Sequence, residues 1–191
     1  KFLENPYFLA ASTHEGEDKL ILESFNLIKK DFPLVKLVVV PRHPERAIKV
    51  KSLFLNMGSE SIYENEVEIS SDILIVQSIG ILPSLYADAQ LAFVGGSLVN
   101  RGGHNVIEPA IAQCPFILGE NYFNFKNIVE AFINNNATHI VRTPSDIFKL
   151  FYRTYKDQDN FRKDMIQNAN NVVEKNIGAT SRQLSLIRAS L

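Results

Sequence analysis

Two Gly-Gly pairs, an arginine, a histidine, an asparagine and a glutamate lie close together in AFVGGSLVNRGGHNVIEPAIAQCP, from Ala92 to Pro115. Glycines allow backbone N–H groups to turn toward an anion, and the N-terminus of a following helix adds a favourable partial charge. We therefore predict a loop that binds a phosphorylated ligand, with turn geometry alone as the alternative. The spacing matches neither the dinucleotide-binding fingerprint nor a P-loop. The glycines concerned are Gly95, Gly96, Gly102 and Gly103.

Asn105 and Glu108 stand where the helix after the second glycine pair should begin. An asparagine followed three residues later by a glutamate is a variant of the capping box, in which both side chains bind free N–H groups of the helix start. Alternatively, the Glu108 carboxylate accepts hydrogen bonds from two neighbouring ribose hydroxyls. The spacing alone leaves both interpretations open.

Arg42 lies in a short loop after three valines, and the flanking Pro41 and Pro44 should stiffen this loop. A cation held rigidly at the end of a strand suits a phosphate or a carboxylate. The alternative is a solvated side chain that pairs with Glu45.

Three acidic residues, Glu15, Glu17 and Asp18, surround the start of the first predicted helix. Negative charge there stabilises the helix dipole but would repel a phosphate, so we interpret these residues as capping and dipole partners. His14 precedes them, and it either donates to a sugar group or is structural.

Short apolar runs rich in branched residues alternate with helix-like segments along the chain. Nearly continuous hydrophobicity is typical of strands covered on both faces in a parallel sheet. The alternation predicts an α/β fold, a Rossmann-like doubly wound parallel sheet with right-handed crossovers. Ligands of such folds bind beyond the carboxyl ends of the strands. The predicted strands are PYFLAAS, KLVVVP, DILIVQ, LAFVGG, PFILG and HIVRT.

From Pro144 onward the pattern is helical and predicts two or three amphipathic helices, with breaks near Asp157 and Gly178. We interpret residues 1–191 as one domain, of which 144–191 form this carboxyl-terminal helical tail. Because the sequence lacks an initiating methionine and enters a strand-like run almost at once, we expect it to be a fragment of a longer protein.

The composition argues against several classes of function. With 20 basic and 21 acidic residues, the net charge of −1 gives no electrostatic footprint for nucleic acid. A single cysteine, Cys114, excludes an internal disulfide, and the histidines show no metal-ligand spacing, so no metal site is predicted. No apolar run approaches the roughly 20 residues that span a bilayer, so we expect a soluble chain. No nucleophile elbow or paired-carboxylate motif stands out.

Four segments read AASTHEGED, PRHPERAIKV, SIGILPSLYADAQLAFVGGSLVNRGGHNVIEPA and NFKNI. In this order and at similar intervals they resemble the carboxyl-terminal half of the bacterial 3-deoxy-D-manno-octulosonic acid (Kdo) transferases of lipopolysaccharide synthesis. The resemblance is strong from Pro6 to Val129 and loose over the helical tail. It implies one half of a GT-B glycosyltransferase, a domain that binds the donor CMP-Kdo.

The resemblance also implies site residues. Family members commonly have Met-Gly-Glu where this chain has Ile79, Gly80 and Ile81, so backbone contacts survive there while a glutamate side-chain contact is lost. The implied CMP contacts are Pro41, Arg42, Ile79, Gly80, Ile81, Asn105, Val106, Ile107 and Glu108. Weaker candidates that would line the same cleft are Ser12, His14, His43, Gly96, Ser97, Gly102, Gly103 and His104.

For the complete enzyme, the resemblance implies transfer of Kdo to a lipid A precursor, with inversion, without an essential metal or other cofactor, and at the cytoplasmic face of the inner membrane. A glutamate general base, the acceptor site and the membrane-associating segment would belong to an amino-terminal half, so the present chain should bind CMP but be inactive alone. Apolar tail positions would dock on that half: Leu184, Ile187 and Leu191.

Two other functions stay open at this point. One is a related transferase or epimerase that uses a UDP-sugar. The other is a regulatory module that binds a nucleotide without any transfer reaction.

Overall fold

In the described part of the chain, seven parallel strands, numbered below in chain order, form one sheet in the order β3-β4-β2-β1-β5-β6-β7. The computed structural model describes residues 2–66 and 71–189, and within these it describes side chains except at 158 and 177–189. The strands are β1 (Tyr7–Thr13), β2 (Lys36–Pro41), β3 (Ile62–Tyr63), β4 (Ile73–Ile75), β5 (Leu91–Val94), β6 (Phe116–Leu118) and β7 (Thr138–Ile140). The α-helices are α1 (Asp18–Asp31), α2 (Ala47–Asn56), α3 (Leu82–Asp88), α4 (Ile107–Ile111), α5 (Lys126–Asn134), α6 (Pro144–Lys156) and α7 (Phe161–Ala189).

Both faces of the sheet are covered, which explains the continuous hydrophobicity of its strands. Successive residues of β1 alternate between two cores: Tyr7 and Leu9 belong to one, and Phe8 and Ala10 to the other. Helices α1, α2 and α6 contribute to the core that contains Phe8, whereas α3, α4, α5 and α7 contribute to the core that contains Tyr7. The predicted doubly wound α/β fold is confirmed.

The direction of the strand order reverses between β1 and β5. From β1 the chain passes to the neighbouring β2, then to the edge strand β3 and back to β4, which lies between β3 and β2. It then returns to β5 on the other side of β1 and builds outward through β6 and β7. The loops that leave β1 and β5 therefore diverge and open a crevice at the carboxyl ends of these strands, which is where ligands of such sheets bind.

All six predicted strands are present, and one further strand, β3, was not predicted because it has two residues. The predicted helix break at Asp157 is confirmed, since this residue ends α6 in the left-handed conformation, with φ of 46°. The predicted break at Gly178 is wrong, because the backbone of α7 continues through it. A single glycine costs an exposed helix only about 1 kcal/mol, which is too little to end it.

The apolar tail positions Leu184, Ile187 and Leu191, predicted to dock on another domain, lie outside the residues whose side chains are described. Within the described part of the chain, no helix has the length and apolar character needed to cross a bilayer.

Candidate functional site

The loops after β1, β2 and β4 enclose a cleft of about 130 Å³ at the carboxyl end of the sheet. Five residues that the sequence marked as candidates line it, together with Val40, Pro44, Ser78 and Leu82. These five come from three separate parts of the chain, so the fold brings together groups that only the resemblance had connected. They are Ser12, Pro41, Arg42, Ile79 and Gly80.

Arg42 presents an unpaired cation to this cleft. Its backbone N–H donates to the carbonyl oxygen of Thr13 at 3.0 Å, which ties the loop after β2 to the end of β1. Its side chain is exposed and has no hydrogen-bond or ion-pair partner among the described residues, so the alternative pairing with Glu45 is absent. The guanidinium group is therefore available to an anionic ligand.

Ser12 lies at a bulge in β1, where its backbone adopts the left-handed conformation with φ of 56°. Gly95 packs directly against this bulge: a Cβ atom at Gly95 would lie 2.2 Å from the carbonyl oxygen of Ser12. The Gly95 N–H also donates to the carbonyl oxygen of Ala11 at 2.8 Å. A residue without a side chain is thus required at Gly95 to keep the bulge, and with it Ser12, at the cleft.

The side chain of Glu17 holds the glycine-rich loop after β5 in place from the interior of the protein. Its fully buried carboxylate accepts four backbone hydrogen bonds, from the N–H groups of His14 and Gly96 at 2.8 Å and from those of Ser97 and Leu98 at 3.0 Å. Burial raises the pKa of Glu17, and the four N–H donors oppose this effect. The interpretation of Glu17 as a helix cap is wrong, since it makes no side-chain capping bond to α1.

This arrangement corrects the prediction that the amides of the glycine pairs face a phosphate. The N–H of Gly96 donates to Glu17, that of Gly95 to Ala11, and that of Gly103 to the carbonyl oxygen of Gly96 at 2.9 Å. Gly102 is buried, and a Cβ atom there would overlap Asn124 at 2.3 Å. These glycines therefore permit close packing of the loop.

Ser97 is also structural, which corrects its place among the cleft candidates. It is fully buried. Its hydroxyl donates to the carbonyl oxygen of Val94 at 2.5 Å and accepts from the N–H of Gly119 at 2.8 Å. Ser97 thus joins the ends of β5 and β6.

Asp18 pairs with Arg46 instead of capping a helix. The Arg46 guanidinium contacts the nearly buried Asp18 carboxylate at 2.5 Å and donates to the carbonyl oxygen of Thr13 at 2.7 Å. Burial raises the pKa of Asp18, and the charge of Arg46 opposes this effect. Arg46 therefore has a structural role, and its guanidinium group is not available to a ligand.

Three histidines meet beside the cleft, and we call His14, His43 and His104 the histidine cluster. The rings of His14 and His104 stack with centroids 5.0 Å apart, and their Nε2 atoms lie 2.8 Å apart, so one ring donates to the other. The ring of His43 meets that of His14 edge-on at 6.0 Å. Gly96 lies against both stacked rings, since a Cβ atom there would contact them at 3.3 to 3.4 Å.

The electrostatic environment keeps the two stacked histidines neutral. Burial lowers the pKa of His104 to about 4, helped by His14, Arg42 and His43. Burial also lowers the pKa of His14, followed by the charge of Arg101. Among the described residues, no group of three histidine, cysteine or carboxylate side chains has the arrangement of a metal site.

Asn105 and Glu108 lie at the start of α4 and do not form a capping box. Helix α4 begins at Ile107, with the buried Val106 as its cap and no side-chain capping bond. The Asn105 side-chain oxygen accepts from the N–H of Ile107 at 3.0 Å, and its amide donates to the exposed Glu108 carboxylate at 3.2 Å. Because Glu108 does not bind the helix amides, its second oxygen is free for a ligand.

The chain is 32% identical to the 3-deoxy-D-manno-octulosonic acid transferase of Haemophilus influenzae, over 98% of this chain and 45% of that protein. Among solved structures, it matches the C-terminal CMP-Kdo binding domain of WaaA from Acinetobacter baumannii at 31% identity, with a TM-score of 0.82, over 90% of this chain and 91% of that domain. The chain belongs to the Kdo transferase family.

This Kdo transferase chain spans less than half the length of its Haemophilus influenzae relative. Its fold is shared with more distant glycosyltransferases, including the C-terminal domain of a group 1 glycosyltransferase from Francisella tularensis, at 15% identity and a TM-score of 0.63 over 90% of this chain and 87% of that domain. The predicted architecture, one half of a GT-B glycosyltransferase, is therefore confirmed. No protein-family model matches the chain.

Residues of the segment between β4 and α3 form one wall of the cleft: Ser78, Ile79, Gly80 and Leu82, the first residue of α3. Ile79 is 86% exposed, Gly80 has φ of +85°, and Ile81 caps α3. The Ile81 carbonyl oxygen accepts from the Ser84 hydroxyl at 2.7 Å. An exposed apolar side chain beside a polar cleft provides a surface on which a planar base can lie.

Sequence reasoning missed two residues of the site. Glu17 gave no local signal of its role, because the amides of Ser97 and Leu98 that it binds lie 80 and 81 positions further along the chain. Arg101 was noted only as part of the motif, yet its exposed guanidinium has no partner among the described residues, and its charge acts on His14.

Proposed function

We propose that this chain is the donor-binding domain of a Kdo transferase and that it binds CMP-Kdo in the cleft at the carboxyl end of the sheet. The carrying observation is the convergence of Ser12, Pro41, Arg42, Ile79 and Gly80 on one cleft. The similarity to the Acinetobacter baumannii CMP-Kdo binding domain, which extends over nearly the whole of both chains, supports the choice of this donor.

In this proposal the phosphate of the donor lies against Arg42, whose guanidinium has no partner among the described residues. The cytosine base lies along Ile79, Gly80 and Ile81, which offer apolar surface and backbone groups. Glu108 accepts from the ribose hydroxyls, oriented by its hydrogen bond from the Asn105 amide. Val106 contributes through its backbone, because its side chain is fully buried.

We further propose that the complete enzyme transfers Kdo to a lipid A precursor at the cytoplasmic face of the inner membrane. A hydroxyl of the acceptor attacks the anomeric carbon, a general base in the amino-terminal half takes the hydroxyl proton, and the bond from the anomeric carbon to the phosphate oxygen breaks. CMP then leaves as a phosphate monoester, and the developing negative charge is stabilised by Arg42 without a metal ion.

This proposal separates binding from turnover. The 191-residue chain should bind CMP, yet it should transfer no Kdo, because catalysis needs a base positioned across a closed cleft.

A competition experiment tests the donor class. A fluorescent CMP analogue is bound to the chain, and CMP, UMP and UDP are titrated against it. CMP should displace the analogue at concentrations at least about tenfold lower than either uridine nucleotide. This ratio corresponds to a difference of about 1.4 kcal/mol in binding free energy. Equal displacement by UDP would favour a UDP-sugar enzyme and overturn the proposal.

A further inference from the structure

A second group of cationic and hydrogen-bonding side chains, with no carboxylate partner among the described residues, lies beside the phosphate cleft. It consists of the histidine cluster, whose rings border Gly96 at the crevice between β1 and β5, and of Arg101, which lies two residues before Gly103, whose N–H donates to Gly96. His14 and His104 are half-buried, and His43 and Arg101 are exposed, so all four can be reached from solvent. The loop that carries Arg101 is held in place, because the backbone carbonyl oxygen of Arg101 accepts a hydrogen bond from the Asn124 side-chain amide at 3.1 Å.

The charge around this group is uncompensated. The groups whose charge acts on His14 are Arg101, Arg46, His43 and Arg42, and among the described residues only Arg46 of these has a carboxylate partner. The Glu17 carboxylate on the same loop is buried and already accepts four backbone hydrogen bonds. A cluster of donors and cations with no anion of its own is suited to an anion supplied by a ligand.

We infer that the histidine cluster and Arg101 bind the carboxylate of the donor sugar, separately from the phosphate held at Arg42. This inference rests on the proposed function. An ulosonic acid carries its carboxylate on the anomeric carbon, the same carbon that is bonded to the phosphate oxygen of the donor. Phosphate and carboxylate are thus neighbours in the donor, as Arg42 and the adjacent His43 are neighbours in the site.

The chemistry of each group fits this assignment. Arg101 supplies a planar pair of N–H donors that match the two oxygens of a carboxylate. A neutral imidazole carries one N–H, and the hydrogen bond between the Nε2 atoms of His14 and His104 leaves the acceptor ring with its Nδ1–H free to donate elsewhere. Sugar nucleotides that lack the carboxylate would bind more weakly, because they would lose the hydrogen bonds and the ion pair that these fixed donors make.

The test compares two ligands, CMP and CMP-Kdo, by calorimetric titration of the chain and of three variants. Arg101→Gln and His104→Asn should leave the CMP affinity within about twofold while weakening CMP-Kdo about tenfold each. Arg142→Gln is the matched control, because Arg142 lies at the surface and pairs with Glu120, and it should change neither affinity. Arg101 has no partner among the described residues, so its variant should fold normally.

The outcomes separate the two levels of the hypothesis. If the unaltered chain binds no CMP, the proposed function fails. If CMP binds but Arg101→Gln and His104→Asn bind CMP-Kdo as tightly as the unaltered chain, the carboxylate site is wrong. A loss of CMP and CMP-Kdo affinity by the same factor in both variants would also overturn it, because these residues would then serve the phosphate or the fold.

Discussion

The carboxylate of Glu17 accepts a hydrogen bond from the backbone N–H of Gly96 at 2.8 Å, although the two residues are 79 positions apart in the chain. With the amides of His14, Ser97 and Leu98, this contact makes Glu17 an internal anion that occupies the place where a loop of this kind often holds a phosphate. The negative charge of a ligand must therefore be neutralised by cationic side chains and not by these amides. Arg42 and Arg101 are the candidates for this role.

Replacing Glu17 by glutamine should destabilise the protein strongly. A glutamine side chain presents an NH₂ group to amides that need an acceptor, so Glu17→Gln should lower the free energy of unfolding by about 3 kcal/mol. Urea denaturation followed by circular dichroism measures this. Glu15→Gln, at an exposed position of the same loop, should change it by less than about 0.5 kcal/mol. Equal urea midpoints for the two variants would show that the Glu17 contacts are unimportant.

A methyl group at Gly95 should displace the Ser12 bulge. Its Cβ would lie 2.2 Å from the Ser12 carbonyl oxygen, so Gly95→Ala should cost about 2 kcal/mol or more and weaken CMP binding. The matched control is Gly58→Ala, where φ is +79° and no atom lies within 4 Å of the added methyl group. That variant should lose only about 1 kcal/mol of backbone strain and keep its CMP affinity. Normal CMP binding by Gly95→Ala would contradict the role of the bulge.

The contribution of His104 to the stability of the chain should fall as the pH is lowered from about 6.5 toward 4. The folded protein holds the pKa of His104 at about 4, whereas an unfolded histidine titrates near 6.5, so the unfolded state binds more protons between these values. Folding is therefore favoured above pH 6.5, and this contribution is lost as the pH decreases. Urea unfolding at a series of pH values should show this slope, and His104→Asn should make it shallower. An unchanged slope in the variant would assign the effect elsewhere.

Glu108 should determine the preference of the chain for a ribonucleotide over a 2′-deoxyribonucleotide. If its carboxylate binds the ribose hydroxyls, the chain should prefer CMP over 2′-deoxy-CMP by about tenfold, and Glu108→Gln should reduce this preference to about twofold. Because Glu108 is exposed and its carboxylate is bonded to Asn105 alone among the described residues, the variant should keep its thermal stability. Fluorescence competition with both nucleotides measures the ratio. The same preference in both proteins would return Glu108 to a structural role.

The sequence was sufficient to predict the sheet, because runs such as those of β1 and β2 are apolar over several residues and each is followed by a recognisable loop. It was insufficient for β3, because two residues are too few to show the alternation of a strand. It was also insufficient at Gly178, because one glycine destabilises a helix too weakly to end the long helix α7.

Some residues of the site could likewise be recognised from the sequence, and others could not. Arg42 was recognised because Pro41 and Pro44 lie beside it in the chain. The roles of Glu17 and Ser97 were not, because both depend on which backbone amides the fold places around a side chain. The glycines were identified correctly as conformationally necessary, but the fold uses Gly95 for close packing against Ser12, and its amide faces no ligand.

Calorimetric titration of the 191-residue chain with CMP tests most directly whether the loops at the carboxyl end of the sheet form a nucleotide site. The unaltered chain should bind one CMP, Arg42→Ala should bind it at least about tenfold more weakly, and Arg142→Ala should bind it as the unaltered chain does. Absence of binding to the unaltered chain, or equal affinity in Arg42→Ala, would contradict the assignment of this cleft.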